Sequence, residues 1–193
     1  MSLTRIHVCG GGLRALLVAD VARRVALVSG RQARVSWAFD APRPADLNIY
    51  PPDEITTEHP ADGLLVNCPD APDSLRVAEY AGAIPDDPLA LRLALLVSPV
   101  DAPPVAGDAD DADETLRRWR SAVARWARSP GAPPSRAHVQ AAVAAFGELD
   151  MPRAVEVLRV VEADNHIAPG AKFETFAYLD RILGVDLARD LGR

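Results

Sequence analysis

The chain has 193 residues, 49% hydrophobic but only 5% aromatic, so Leu, Val and Ala must fill most of a core that serves one domain or two small ones. Its net charge of −6 argues against a general nucleic-acid coat, whose affinity rests on neutralising phosphates, but leaves room for a local basic face. No apolar run is long enough for a signal peptide or a membrane span, so the two cysteines, Cys9 and Cys68, read as reduced thiols of a cytoplasmic protein with no membrane and no DNA partner.

Residues 5–9 read as a short buried strand in which Ile6 and Val8 are apolar. Gly10, Gly11 and Gly12 make a tight turn into residues 13–29, where Leu13, Leu16, Leu17, Val21, Val25 and Val28 share much of one helical face. Gly30 supplies a left-handed cap. Residues 34–39 alternate as a second strand, and the order strand, helix, strand implies a parallel pair joined by a right-handed crossover. Residues 41–44 form a Pro-rich connector. Residues 47–50 and 64–67 are two more strand candidates, and Pro51 and Pro52 between them mark a loop. Residues 69–74 form another loop.

Beyond Pro85 the character is helical. Residues 88–97 form an apolar helix, and residues 99–113 a polar, Pro-rich linker. The linker ends in Asp108, Asp110, Asp111, Asp113 and Glu114, acids that complement the dipole of a helix over residues 113–128. Further helices are expected over residues 135–149, 152–163 and 171–183, followed by a short tail over 185–191. Ser135 and Asp150 suit N-cap positions, and Pro152 suits an early helical one. The expected fold is α/β: a small Rossmann-like parallel-sheet unit over residues 1–82, then an α-helical bundle over residues 83–193.

Three constellations bear on chemistry. Gly10, Gly11 and Gly12, followed by Ala15, fit a dinucleotide fingerprint between a strand and a helix, with Asp40 as the acid near the end of the second strand. The simpler reading is that these glycines only close a turn. Arg117, Arg118 and Arg120 lie in a basic stretch beside Trp119 and Trp126, which could touch tRNA. Against this, the two tryptophans are seven residues apart, which suits one buried face with the arginines in water. His7 and Cys9 share a strand face and could hold half of a metal site. His59, His138 and His166 fall in loops or caps.

The segment from Asp87 to Leu96 resembles the "DP-x-ALRLALL" stretch of cysteinyl-tRNA synthetases and of the related cysteine ligases of mycothiol synthesis. Other pieces resemble that family in the same order. Ile6-His7-Val8-Cys9-Gly10 is similar to its first strand, "YVCG", whose Cys is a zinc ligand. Residues 12–24 resemble the helix that begins within its "HIGH" motif, and residues 30–40 resemble its "GYRVTYVQNITD" segment. Residues 47–55 look like a decayed "LIFPHHENEI", and Ala71-Pro72-Asp73-Ser74 stand where "MSKS" of the "KMSKS" motif would be. Ala168-Pro169-Gly170-Ala171-Lys172 and Leu179 to Leu187 resemble the end of its helical domain.

The resemblance implies an adenylating scaffold, and the departures from it imply lost chemistry. The HIGH histidines and the KMSKS lysines have no counterparts, and Asp70 and Asp73 bring negative charge where a triphosphate would lie. Of the four family zinc ligands only Cys9, and Glu54 as a second, have candidates, so zinc is not expected. The function expected is that of a truncated, catalytically degenerate paralogue with no catalytic residues. It would bind a protein partner or RNA, or self-associate as a homo-oligomer. Nucleotide binding through Gly10–Gly12, or service as one subunit of a split cysteine ligase, are the alternatives.

Overall fold

Two stretches that start at the surface and end buried form the central strands, β1 (Leu3–Val8) and β2 (Gln32–Trp37). They run parallel, in register from Leu3 opposite Gln32 to Val8 opposite Trp37. The computed structural model describes residues 3–10, 12–40, 45–82, 84–103 and 108–192. The expected connector at 41–44, Gly11, and residues 104–107 of the expected linker lie outside those residues. β3 (Glu54–Ile55) adds to β2, and β4 (Leu64–Val66) adds to the far side of β1. The four-stranded sheet is therefore all-parallel, in the order β3-β2-β1-β4.

Helix α1 (Leu13–Val28) joins β1 to β2. It ends as its sequence suggests. Gly30 takes φ 71°, its N–H reaches the Leu27 carbonyl at 3.0 Å, and the Arg31 N–H reaches the Ala26 carbonyl at 2.9 Å. That pair of bonds is a Schellman closure, which needs a residue free to adopt the left-handed region.

The helical half comprises α2 (Pro88–Val97), α3 (Asp108–Trp126), α4 (Arg136–Gly147), α5 (Met151–Ala163) and α6 (Pro169–Leu183). α1 packs on β1 and β2 with one side and on α4 and α6 with the other. It is consequently buried almost all round, including Arg14, Asp20, Arg23 and Arg24. One continuous apolar cluster runs from Ile6 and Val8 in the sheet through Leu91 and Leu93 of α2 to Trp119, Phe176 and Leu187. Trp119 and Trp126 both meet Phe176 edge-on, at ring separations of 5.5 and 5.1 Å, so the tryptophan pair faces inward.

Two expectations about elements are corrected. Residues 47–50 are not a strand. A 3₁₀ turn, Ala45–Leu47, leads into Asn48 at φ 54°, a left-handed conformation that no ladder accommodates. Leu47 and Ile49 still point into the core. The edge strand forms instead at Glu54–Ile55, just past the Pro51-Pro52 break. α3 begins at Asp108, about one turn before the expected start, so Asp110 and Asp111 lie in its first turn.

The irregular segment is held by buried charge. The Asp20 carboxylate accepts from Arg24 Nε and from Arg92 Nη2, both at 2.7 Å, with Asp20 and Arg92 side chains fully out of water. Its other oxygen accepts the Tyr50 N–H at 3.0 Å. Arg92 Nη1 donates to the Leu47 carbonyl at 2.9 Å, and its Nε donates to the carbonyl of Leu183 at the end of α6. Arg24 Nη2 donates to the Asn48 carbonyl at 2.6 Å, and Asn48 Nδ2 to the Gly184 carbonyl at 2.9 Å. Burial pulls Arg92 below the ordinary arginine value, and the Asp20 charge opposes that pull. Replacing Asp20 by Ala strands two guanidiniums without their anion. A loss of about 3–5 kcal/mol in urea unfolding is expected, against no resolvable loss for the exposed Arg153→Ala.

A second network caps α2. Asp87 accepts the Leu89 N–H at 3.0 Å as the N-cap, with Pro88 at the first helical position. Its other oxygen accepts from Arg120 at 2.6 Å and from Arg189 at 2.8 Å. Burial alone would raise the Asp87 carboxyl, but the Arg120 hydrogen bond, the Leu89 amide and the two cationic charges outweigh it and hold it below the ordinary value. A carboxyl with a depressed folded value stabilises the fold above its unfolded value of about 3.9 and loses that contribution as pH falls through the folded one. Acid unfolding below about pH 4 should therefore be shallower in Asp87→Asn than in the wild type, read as melting temperature against pH.

Candidate functional site

In an open parallel sheet, ligands bind beyond the carboxyl ends of the strands, where the chain order reverses direction. Here the connections run from β1 outward to β2 and β3, then return to β4 on the other side of β1. The reversal falls between β1 and β4. The residues just past those two strands are Cys9-Gly10 and Asn67-Cys68, so this crevice contains the sequence-predicted glycine loop.

The crevice is closed by the chain itself. Cys9 and Cys68 form a disulfide, with Cα atoms 4.7 Å apart. The expectation of two reduced thiols is thereby corrected. Strands β1 and β4 are neighbours, and the Cys9 N–H continues their ladder by donating to the Val66 carbonyl at 3.0 Å, which brings the two side chains together. The Cys68 N–H donates to Ser74 Oγ at 2.8 Å. Asn67, at φ 51°, folds its side chain over the next segment: Oδ1 accepts the Val77 N–H at 2.8 Å, and Nδ2 donates to the Val77 carbonyl at 3.2 Å.

Two of the glycines lie against these groups. A Cβ on Gly10 would come within 3.1 Å of the Asn67 carbonyl oxygen. A Cβ on Gly12 would come within 3.2 Å of Glu79 Cγ and 3.6 Å of its carboxyl carbon. Their smallness thus serves close approach of residues 67 and 79. Gly12 is also the N-cap of α1, without a side-chain cap bond. The Glu79 carboxyl therefore stands near the N-terminal turn of α1, where a helix dipole favours a negative group and where a dinucleotide fold would place phosphate.

Below the disulfide lies His7, fully buried on the floor of the sheet. Its Nδ1 is 2.7 Å from Ser36 Oγ on the neighbouring strand β2. Its Nε2 is buried with no hydrogen-bond partner among the described residues. Burial lowers the His7 value from that of a free imidazole, and the nearby His59, 6.1 Å away between ring centres, lowers it further. One ring nitrogen of His7 and the two sulfurs lie within 4.8 Å of one another. The sequence paired His7 with Cys9 by strand alternation; Cys68 joins them only through the fold.

The remaining sequence-predicted residues lie apart from this corner or face inward. Arg120 is buried: it donates to Asp87 and to the carbonyls of Val185 at 2.8 Å and Asp186 at 3.0 Å. Arg117 and Arg118 are exposed, and each pairs with a carboxylate, Asp113 at 2.6 Å and Glu162 at 3.0 Å. Glu54 is in β3 and pairs with Arg34 at 2.7 Å. Asp40, Asp70 and Asp73 are exposed. His138 Nδ1 lies 2.7 Å from Ser135 Oγ, so Ser135 sits at the N-cap position of α4 without a side-chain cap bond to the backbone. His166 lies in an exposed turn. No helix among the described residues is long and apolar enough to cross a membrane.

The disulfide bridges a sequence separation of 59 residues, a loop for which chain entropy gives a stabilisation of about 4 kcal/mol. Reduction, or the paired change Cys9→Ala with Cys68→Ala, should lower unfolding stability by about 2–4 kcal/mol in urea titration. Compared with protein-family models and with curated proteins, the chain finds no match.

Proposed function

We propose that this chain is a synthetase-like scaffold that acts by binding a macromolecular partner, with a protein partner favoured, and does not aminoacylate. The observation that carries this reading is the state of the crevice between β1 and β4. Adenylate formation there needs donors and cations preorganised around a triphosphate. In their place stand the Cys9–Cys68 bond, the Asn67 backbone against Gly10, and the Glu79 carboxyl against Gly12. A carboxylate at that turn repels a phosphate.

A protein partner is favoured over RNA by the arginines. Arg120 spends its hydrogen bonds inside the fold, and Arg117 and Arg118 are neutralised by Asp113 and Glu162. Trp119 and Trp126 pack on Phe176 and offer no stacking platform. The overall charge of −6 adds repulsion from a polyanion. Cytoplasmic residence belongs to the same reading but no longer draws support from the cysteines, which are joined as a disulfide.

The reading predicts no cysteine-dependent ATP–pyrophosphate exchange by the purified chain; clear exchange would overturn it. Gel-shift titration with tRNA separates the two partner classes. No shift is expected. A salt-sensitive shift that weakens in Arg117→Glu/Arg118→Glu would move the assignment from protein to RNA.

A further inference from the structure

The corner formed by His7, Cys9 and Cys68 holds a combination that a structural disulfide does not require. A cross-link needs two sulfurs. It does not need an imidazole brought within 4.8 Å of both, buried completely, with a ring nitrogen left bare. A buried polar atom without a partner is destabilising, and among the described residues none of the oxidised state's groups pairs with Nε2 of His7. Its other nitrogen is held by Ser36 Oγ at 2.7 Å, which fixes the ring orientation in the way that partners of metal-ligating histidines do.

We propose that reduction of the Cys9–Cys68 bond converts this corner into a site for a soft or borderline divalent metal ion, with Cys9 Sγ, Cys68 Sγ and His7 Nε2 as its ligands. Two thiolates and an imidazole are a donor set that suits zinc-like ions and disfavours hard, oxygen-seeking ones. Only Cys9 belongs to the ligand set that the synthetase resemblance implies; His7 and Cys68 are contributed by this chain's own β1 and the segment after β4. The backbone frame suits both states. Two thiolates on one tetrahedral ion sit about 3.8 Å apart, so the two sulfurs must move apart once their bond is broken, on Cα atoms that are 4.7 Å apart across neighbouring strands. Side-chain rotation accommodates the difference. Cys68 is buried but Cys9 is half-buried, so the fourth position opens toward solvent. Three protein ligands and one open position make an accessible site and not a sealed structural one.

The exchange balances. A dithiol reductant gives two electrons and two protons to the sulfur pair. The S–S bond breaks, two thiols form on the chain, and the reductant closes its own disulfide through a mixed-disulfide intermediate. The metal ion then displaces both thiol protons, which pass to solvent, and is held by two thiolates and one neutral imidazole. A small-molecule disulfide oxidant reverses the sequence: it takes two electrons from the thiolate pair and two protons from solvent to become two thiols. The sulfurs of Cys9 and Cys68 rejoin, and the ion, left with His7 as its sole protein ligand, dissociates.

The test titrates the full chain with Co²⁺ after reduction by a non-chelating phosphine, and in parallel without reduction. The reduced chain should bind one equivalent, with thiolate-to-cobalt charge-transfer absorption and the visible bands of a tetrahedral ion, and Zn²⁺ should displace it. The oxidised chain and Cys68→Ser should show neither band set. Ser36→Ala, which leaves all three ligands in place, should weaken binding by about 10–100-fold. Absence of charge-transfer absorption in the reduced chain overturns the proposal, as does equal binding by the oxidised chain or by Cys68→Ser. If reduction unfolds the chain, Zn²⁺ must restore its circular dichroism; failure to do so also overturns it.

Discussion

The fold depends on one carboxylate that has left water. Asp20 sits in α1 between the sheet and the helical bundle, and its charge is tolerable only because Arg24 and Arg92 meet it at 2.7 Å. Two cations on one anion leave positive charge over, and that surplus is dispersed into backbone carbonyls at Leu47, Asn48, Arg181 and Leu183. These are groups that no ladder or helix satisfies: two lie in the irregular segment before β3, and two in the last turn of α6. The ion cluster therefore does what secondary structure does elsewhere, pairing buried carbonyls that would otherwise be stranded.

The same device recurs. Arg14, buried in α1, donates to the carbonyls of Ser98, Pro99 and Ala102 beyond the end of α2. Arg120 in α3 closes the carbonyls of Val185 and Asp186 beyond the end of α6. A guanidinium at a helix C-terminus also meets the negative end of its dipole. In a chain with so few aromatic residues, the long arginine stems add packing volume between helices as well as hydrogen bonds. Gly184, left-handed at φ 64°, would bring a Cβ within 3.0 Å of the Arg92 guanidinium, so it suits its position twice: as the cap of α6 and as space for the cluster.

What could be read from residue order is what depends on near neighbours. The strands β1 and β2, the apolar face of α1, the Gly30 closure and the Asp150 cap, which accepts the Arg153 N–H at 3.2 Å, are all settled within a few positions. Residues 47–50 alternate like a strand because Leu47 and Ile49 do face the core. Their backbone is claimed by Arg24 and Arg92, which periodicity does not register. The burial of Arg120 goes against the sequence reading, which leaves it in water beside Arg117 and Arg118: it is held inward by Asp87 and by the carbonyls of Val185 and Asp186, partners distant in sequence. The bond between Cys9 and Cys68 was not legible either, because the residues are 59 positions apart and only the adjacency of β1 and β4 unites them. Glu79 against Gly12 is non-local in the same way, which is why the glycine run read as an open phosphate cradle.

Among the described residues the sheet is covered by a helix on one face only, and this explains the polarity of its other face. Parallel sheets ordinarily carry helices on both sides. Here Arg5 and Arg34 emerge on the second face, and their charges are matched by Asp62 at 2.8 Å and Glu54 at 2.7 Å around a cavity of about 270 Å³ bordered also by Ser36 and His59. A face with its charges already paired is poorly suited to bury against an apolar partner, so it is stable in water without a second helical layer. His7 is the exception, two residues from Arg5 on the same side of β1, yet fully buried. Dryness at His7 and half-exposure at Cys9 place a boundary of water access between adjacent positions of one strand face. A group that exchanges electrons or ions with solvent, while keeping one partner dry, has to sit at such a boundary.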